Sequence, residues 1–253
     1  ENAIRYEQDD LLRKKYLGFQ AWESFGYRRA LRHFQELYEE RPSDENAFTA
    51  LLNLMRDLGM HREATELIRS RYAEFEFDRR FASQALQGLR TPEDTEFMRT
   101  IAQHALDKFG DDANIAYQAH RQLLWAGDID GAANVIPLVK ASELPEENLH
   151  LVDLRQACAE QRLHDASAIH NEIVEKHADQ VAIVWLSYSI LGDTDGAIAT
   201  LKPLDEADDT YQLSNFLSYT QFDPNAFPSL VAALSGTGVA DREIIDPPYR
   251  CNR

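Results

Sequence analysis

The chain has 253 residues, 44% apolar and 10% aromatic, which is enough to bury a core and too much for a disordered segment. Lys plus Arg number 26 against 43 Asp plus Glu, and a surface carrying −17 repels phosphate backbones and anionic lipid, which argues against nucleic acid as the main partner. Eleven Gly and nine Pro are too few for a turn-rich β fold, and no run of 18 apolar residues is present to insert into a membrane.

The start, Glu1-Asn2-Ala3-Ile4-Arg5, lacks the basic and apolar regions of a signal peptide. It also lacks Met, which leaves a removed signal or an upstream domain open. Cys158 and Cys251 make neither a disulfide framework nor a zinc site, and two cysteines fit a reducing compartment. The expected location is therefore the cytoplasm, with the periplasm open if upstream residues are missing.

From residue 11 onward apolar residues recur at helical spacing, without strand-like alternation. Leu17-Gly18, Ala21, Ala30, Phe34, Leu37 and Pro42 fall at positions 7, 8, 11, 20, 24, 27 and 32 of a 34-residue frame starting at Leu11. Stepping by 34 from Ala30 gives Ala64, Met98, Ala132 and Ala166, with Ala197 following after 31. Small residues at one recurring position mark the place where two paired helices press closest. Gly59, Gly127 and Gly192 recur at position 15, as turns between the paired helices.

This pattern resembles the tetratricopeptide repeat (TPR), whose 34-residue units are two antiparallel helices ended by a Pro. The family's Trp at position 4 is Lys14 here, and its usual large position 11 is Ala21. The resemblance implies an all-α fold: a right-handed superhelical solenoid of antiparallel helix pairs with C-terminal capping helices. The expected units are 11–44, 45–78, 79–112, 113–146, 147–177 and a shortened 178–208. In the third, the first helix must end before Thr91-Pro92, where a Thr N-cap with Pro at the first position opens the next helix. Residues 1–208 thus form an array of about six helix pairs, and 209–253 a capping tail.

In the tail, Tyr211 to Tyr219 reads as one helix. Asp223-Pro224 opens another, with Phe227, Leu230, Val231 and Leu234 as its apolar side and Gly236 and Gly238 ending it. Asp246-Pro247-Pro248-Tyr249-Arg250-Cys251 reads as extended. A solenoid needs such an element over its last open face. The combination of Phe222-Asp223-Pro224, Phe227-Pro228 and Pro247 to Cys251 is similar to the ending of bacterial TPR regions that follow winged-helix or nucleotide-cyclase output domains. That likeness implies a sensory or regulatory module.

No constellation of residues reads as an active site, and no cofactor is expected. Gly127-Asp128-Ile129-Asp130-Gly131 and Gly192-Asp193-Thr194-Asp195-Gly196 look like calcium-loop pieces. Around Gly131 the two end positions of such a loop are Ala126 and Pro137, and around Gly196 they are Leu191 and Lys202, so both fail. The eight histidines show no zinc spacing, so no metal is expected; His170 faces the helix pair as a core residue, and His164 sits in a turn. Nucleophile motifs, phosphate loops and dinucleotide fingerprints do not occur.

The implied groove is more informative. In TPR arrays, positions 2, 5, 9, 12 and 13 of the first helices point inward. They give Asn46, Asn53 and Arg56, then Arg80, Gln87 and Arg90, then Asn114, Tyr117, Arg121 and Trp125, then Asn148 and Arg155. Amides can pair with a peptide backbone, Arg can clamp carboxylates and the two aromatics can anchor. The alternative is that the arginines neutralise Asp57, Asp153 and Glu23 inside the superhelix. The dicarboxylate clamp of chaperone-binding TPR domains is not matched, because Phe19 and Ala50 replace its asparagines. The expected function is non-catalytic binding of a protein or peptide, acidic or carboxylate-ended, on a scaffold that leaves a homodimer open; the alternative is a regulatory module of a larger bacterial signalling or transcription-regulating protein.

Overall fold

A computed structural model describes residues 9–251; the Glu1–Arg5 start lies outside them. Those residues form fourteen α-helices and short 3-10 turns, with no strand among them. The first twelve helices come as α1 (Asp10–Glu23) with α2 (Tyr27–Glu40), α3 (Glu45–Asp57) with α4 (His61–Glu74), α5 (Arg79–Gly88) with α6 (Thr95–Phe109), α7 (Ala113–Trp125) with α8 (Ile129–Lys140), α9 (Glu146–Ala159) with α10 (Leu163–Lys176), and α11 (Val181–Leu191) with α12 (Thr194–Glu206). None of the described helices is long and apolar enough to cross a membrane.

Local chemistry fixes where these helices begin. Asp9, Asp44, Asp78 and Asp112 each precede a first-of-pair helix and accept hydrogen bonds from its first amides. Each such cap stabilises its helix by about 1 kcal/mol. Asp128 and Asp193 do the same for α8 and α12, so the two Gly-Asp segments are turns and caps. Gly59, Gly127 and Gly192 all adopt left-handed backbone, with φ of 73°, 72° and 87°. Phe25 and Gln161 occupy the same frame position in the first and fifth pairs and are left-handed too, at 58° and 59°, without being glycine.

Packing follows a repeated rule. Each first helix packs on its own partner, and α3, α5, α7, α9 and α11 pack on one another in succession. Each second helix also touches the first helix of the next pair. The contact is close because the residue at the crossing is small: Ala30, Ala64, Ala132 and Ala166 are all 0% exposed, and Met98 fills the third pair equally buried. Gly18 of α1 serves the same end, since a Cβ there would lie 2.7 Å from the Phe34 ring of α2.

Two local expectations change. Thr91 makes no cap bond; it is buried, its hydroxyl 2.9 Å from that of Thr65, and a 3-10 turn over Pro92–Asp94 leads into α6. In the tail, the helix expected from Pro224 is a 3-10 turn, and α14 (Pro228–Ala233) starts four residues later. The reason is Phe227: it precedes Pro228, which disfavours helical backbone, and it sits extended at φ −125°, ψ 94°. Similarly, Tyr211 to Tyr219 is α13 (Thr210–Ser214) followed by a 3-10 turn over Asn215–Ser218.

The tail does more than cover α12. Phe216, Tyr219 and Phe222 surround Trp185 of α11, with ring centroids 5.1, 5.1 and 6.0 Å away. Phe227, Leu230 and Leu234 are buried behind them. The chain then crosses back to the first pairs. Arg28 of α2 donates to the Thr237 carbonyl at 2.9 Å, and Arg242 donates to the carbonyls of Asp57, Leu217 and Tyr219. It returns to the fifth and sixth pairs, where the Cys251 amide donates to the Ile190 carbonyl at 3.0 Å. Cys158 and Cys251, expected to be no disulfide framework, are joined there by a disulfide.

Candidate functional site: the concave wall and its tail

The residues read from the sequence lie on α3, α5, α7 and α9, except Arg90, which falls two residues past the end of α5, and the tail divides them. Asn53, Arg56, Arg80, Gln87 and Asn114, from three successive pairs, line one open cavity of about 550 Å3. Arg80 and Asn114 are exposed, and Arg80 donates to the Asn46 side-chain oxygen at 3.2 Å, so Asn46 joins the rim. The lining combines amide and guanidinium groups with Leu52, Ile115 and one carboxylate, Asp112, which caps α7 and lies 3.6 Å from Arg79.

The other half of the wall is covered. Arg90, Arg155 and Trp125 are only 6%, 2% and 3% exposed. Arg90 donates to the carbonyls of Leu86 and Leu89 and to Gln122, and its guanidinium lies over Trp125 at 5.8 Å. Arg155 donates to the Tyr117 hydroxyl at 3.0 Å and lies over that ring at 5.1 Å. Tyr249 of the tail meets Trp125 edge-on at 6.3 Å. Arg121 donates to the Leu86 carbonyl at 3.4 Å. These four guanidiniums, Arg56, Arg90, Arg121 and Arg155, converge on a small cavity closed by Ser218–Gln221, Pro247 and Tyr249 of the tail. Arg90, Arg121 and Arg155 are thus gathered beneath the tail, while Arg56 lines both this cavity and the open one. Asn148 lies near the start of α9, part-buried and outside these cavities.

Charge partners can now be assigned. Burial pushes the Asp57 carboxyl up to about 7, against the pull of Arg56 and Arg242 and a 3.2 Å hydrogen bond from the Trp22 indole. Asp153 instead pairs with Lys140 at 2.9 Å. Glu23 lines a cavity of about 460 Å3 that Arg56 and Asp57 also reach, but it makes no ion pair with Arg56. Of the three carboxylates considered from sequence, Asp57 alone is placed to compensate an inner arginine. Burial and the neighbouring Arg155 lower Arg121 to about 10, and burial with Arg121 and Arg56 lowers Arg90 well below its ordinary value.

Sequence reading missed a cluster across α9 and α10. Glu146, His150 and Glu172 bring ligand atoms within 4.8 Å of one another. Lys176 lies against both carboxylates, at 3.2 and 2.5 Å, and supplies their positive partner. Spacing gave no hint, since the residues come from two helices. The tail's course did leave a signal. The α11 segment, Val181-Ala-Ile-Val-Trp-Leu-Ser-Tyr-Ser-Ile-Leu191, is apolar almost all round, as is a helix buried on every side.

No protein-family model matches the chain, and no curated protein or solved structure matches it either.

Proposed function

We propose that the chain is a non-catalytic binding scaffold, a right-handed superhelical solenoid of tetratricopeptide type, that holds an extended acidic or carboxylate-ended protein segment in the open half of its concave groove. One observation carries this reading: Asn53, Arg56, Arg80, Gln87 and Asn114, drawn from three successive helix pairs by one positional rule, line a single cavity of about 550 Å3. Three packed helices at about 8–10 Å spacing present roughly 20 Å of wall, the length of about six extended residues. Amides would pair with the segment's backbone, and the arginines with its carboxylates.

The test is a peptide-array screen at low and high salt with the wild type and with Arg80→Glu/Gln87→Glu. Arg80 is exposed and Gln87 half-buried, so the fold should persist. Acidic peptides should bind, weaken with salt and be lost in the variant. Basic ligands, or equal binding by the variant, would refute the reading. Charge reversal at Arg121 and Arg155 would not serve, because those side chains lie under the tail.

The alternative, a sensory or regulatory module of a larger bacterial protein, is favoured by the tail seated in the other half of the groove and bonded there through Cys158–Cys251. A coding sequence upstream of Glu1 that specifies an output domain would select it. The bridge also supports an oxidising compartment, such as the periplasm, over the cytoplasm.

A further inference from the structure

We propose that the arginine cavity beneath the tail is a binding site for one small tetrahedral oxyanion, of the phosphate or sulfate type, which ties the tail to the concave wall. Its lining contains Arg56, Arg90, Arg121 and Arg155 and no Asp or Glu. Several donors there have no partner: Nε of Arg56, Nε of Arg121, and both Nε and Nη1 of Arg155, a residue only 2% exposed. A buried donor left unpaired is unfavourable, and a buried charge more so. An arginine does not shed its proton to relieve this; water can satisfy its N–H donors, but only an anion offsets the charge of Arg90, Arg121 and Arg155. The tail offers only carbonyls, hydroxyls and the Tyr219 and Tyr249 rings.

Size selects the class of anion. The cavity measures about 30 Å3, room for about two waters, whose share of liquid is ~60 Å3. That is the bulk of a small oxyanion and too little for a peptide or nucleotide. Several guanidiniums on one small cavity suit an ion that carries several acceptor oxygens. The tail residues Ser218–Gln221 and Tyr249 face the same space, so an anion bound there holds wall and tail together.

The experiment is a thermal melt and an isothermal titration with inorganic phosphate and with sulfate, exchanged for chloride at fixed ionic strength. At a hundredfold excess over Kd the wild-type midpoint should rise by roughly 5–10 °C, with one ion bound per chain. Arg121→Met/Arg155→Met should lose the response and be at least as stable as wild type in chloride, having fewer uncompensated charges. If that double variant does not fold, Arg121→Gln should weaken phosphate binding at least tenfold in the titration. No phosphate or sulfate response beyond that of chloride, or an unchanged response in the Arg121 and Arg155 variants, would overturn the proposal. The Arg80→Glu/Gln87→Glu variant should keep the full phosphate response, so this site and the open groove fail or stand separately.

Discussion

Reducing the Cys158–Cys251 bridge tests whether the tail is a structural part of the array. The bond closes a loop with a sequence separation of 93 residues. In the chain-entropy account, a loop of that size restricts the unfolded ensemble by about 4–5 kcal/mol. Native contacts persist without it: Arg242 on three carbonyls, Tyr249 on Trp125, and the aromatic cluster around Trp185. The reduced protein and Cys251→Ser should therefore stay folded but melt roughly 10 °C lower, given the unfolding entropy of a chain this long. Hydrogen exchange should show the Cys251 amide, bonded to the Ile190 carbonyl, losing protection first. The assay pairs thermal melts with and without reductant with mass spectrometry after alkylation in denaturant. Two alkylated cysteines in protein purified without reductant, or identical melts, would refute the reasoning.

Ala132→Leu should lower stability by about 1–3 kcal/mol, read from urea unfolding, because Ala132 is fully buried at the α7–α8 contact. Gly59→Ala should cost clearly more than Gly127→Ala: both have φ near +70°, which costs a side chain about 1–2 kcal/mol, but only the Gly59 Cβ would meet the tail, 2.8 Å from the Arg242 Cβ. Equal losses would mean that the tail does not rest on that turn. His61 and His120 are held neutral, at about 3, by burial first and then by Arg242, Arg90 and Arg56 around His61 and Arg155 beside His120. Above about pH 6.5 neither folded nor unfolded chain protonates them; between 6.5 and 3 only the unfolded chain does, so stability falls with pH, by about 2 kcal/mol per histidine from pH 7 to 5. Urea unfolding at the two pH values measures this, and a His120→Gln variant with the same loss would remove His120 from the account.

The parts of the fold legible in the sequence are those fixed by one residue and its immediate neighbours. Small residues at the helix crossing must recur, because a larger side chain would part the pair, and so Ala30, Ala64, Ala132 and Ala166 mark the frame. The first helices begin at Asp10, Glu45, Arg79, Ala113 and Glu146, within one residue of that frame, and at Val181 in the sixth pair. Left-handed Phe25 and Gln161 were not readable, because their residue types do not announce that conformation. The tail was partly legible: its apolar residues showed that it packs, and the apolar α11 marked one surface that it covers, but nothing local showed the rest of its path. Its path depends on contacts such as Arg28 with Thr237 and Arg242 with Asp57, across 209 and 185 residues. The frame picked out Arg56, Arg90, Arg121 and Arg155, which line one cavity, whereas access to that cavity is set by the remote segment.

The two halves of the wall differ in what faces the arginines, and this bears on how firmly the tail is held there. The chain carries 43 acidic residues, yet none lines the cavity where Arg90, Arg121 and Arg155 meet. A tail carboxylate in that position would form charge-assisted bonds worth about 1.5–3 kcal/mol each. Carbonyl partners, such as Ser218 for Arg56, add less and leave guanidinium charge uncompensated. The tail's hold therefore comes from elsewhere: from the apolar cluster around Trp185, the Arg242 contacts and the disulfide. Between those anchors the arginines favour whatever brings negative charge to them. In the open half Arg80 is exposed, and no tail residue lines its cavity. The same residue type thus stands in two settings, open to solvent in one half and beneath the tail in the other.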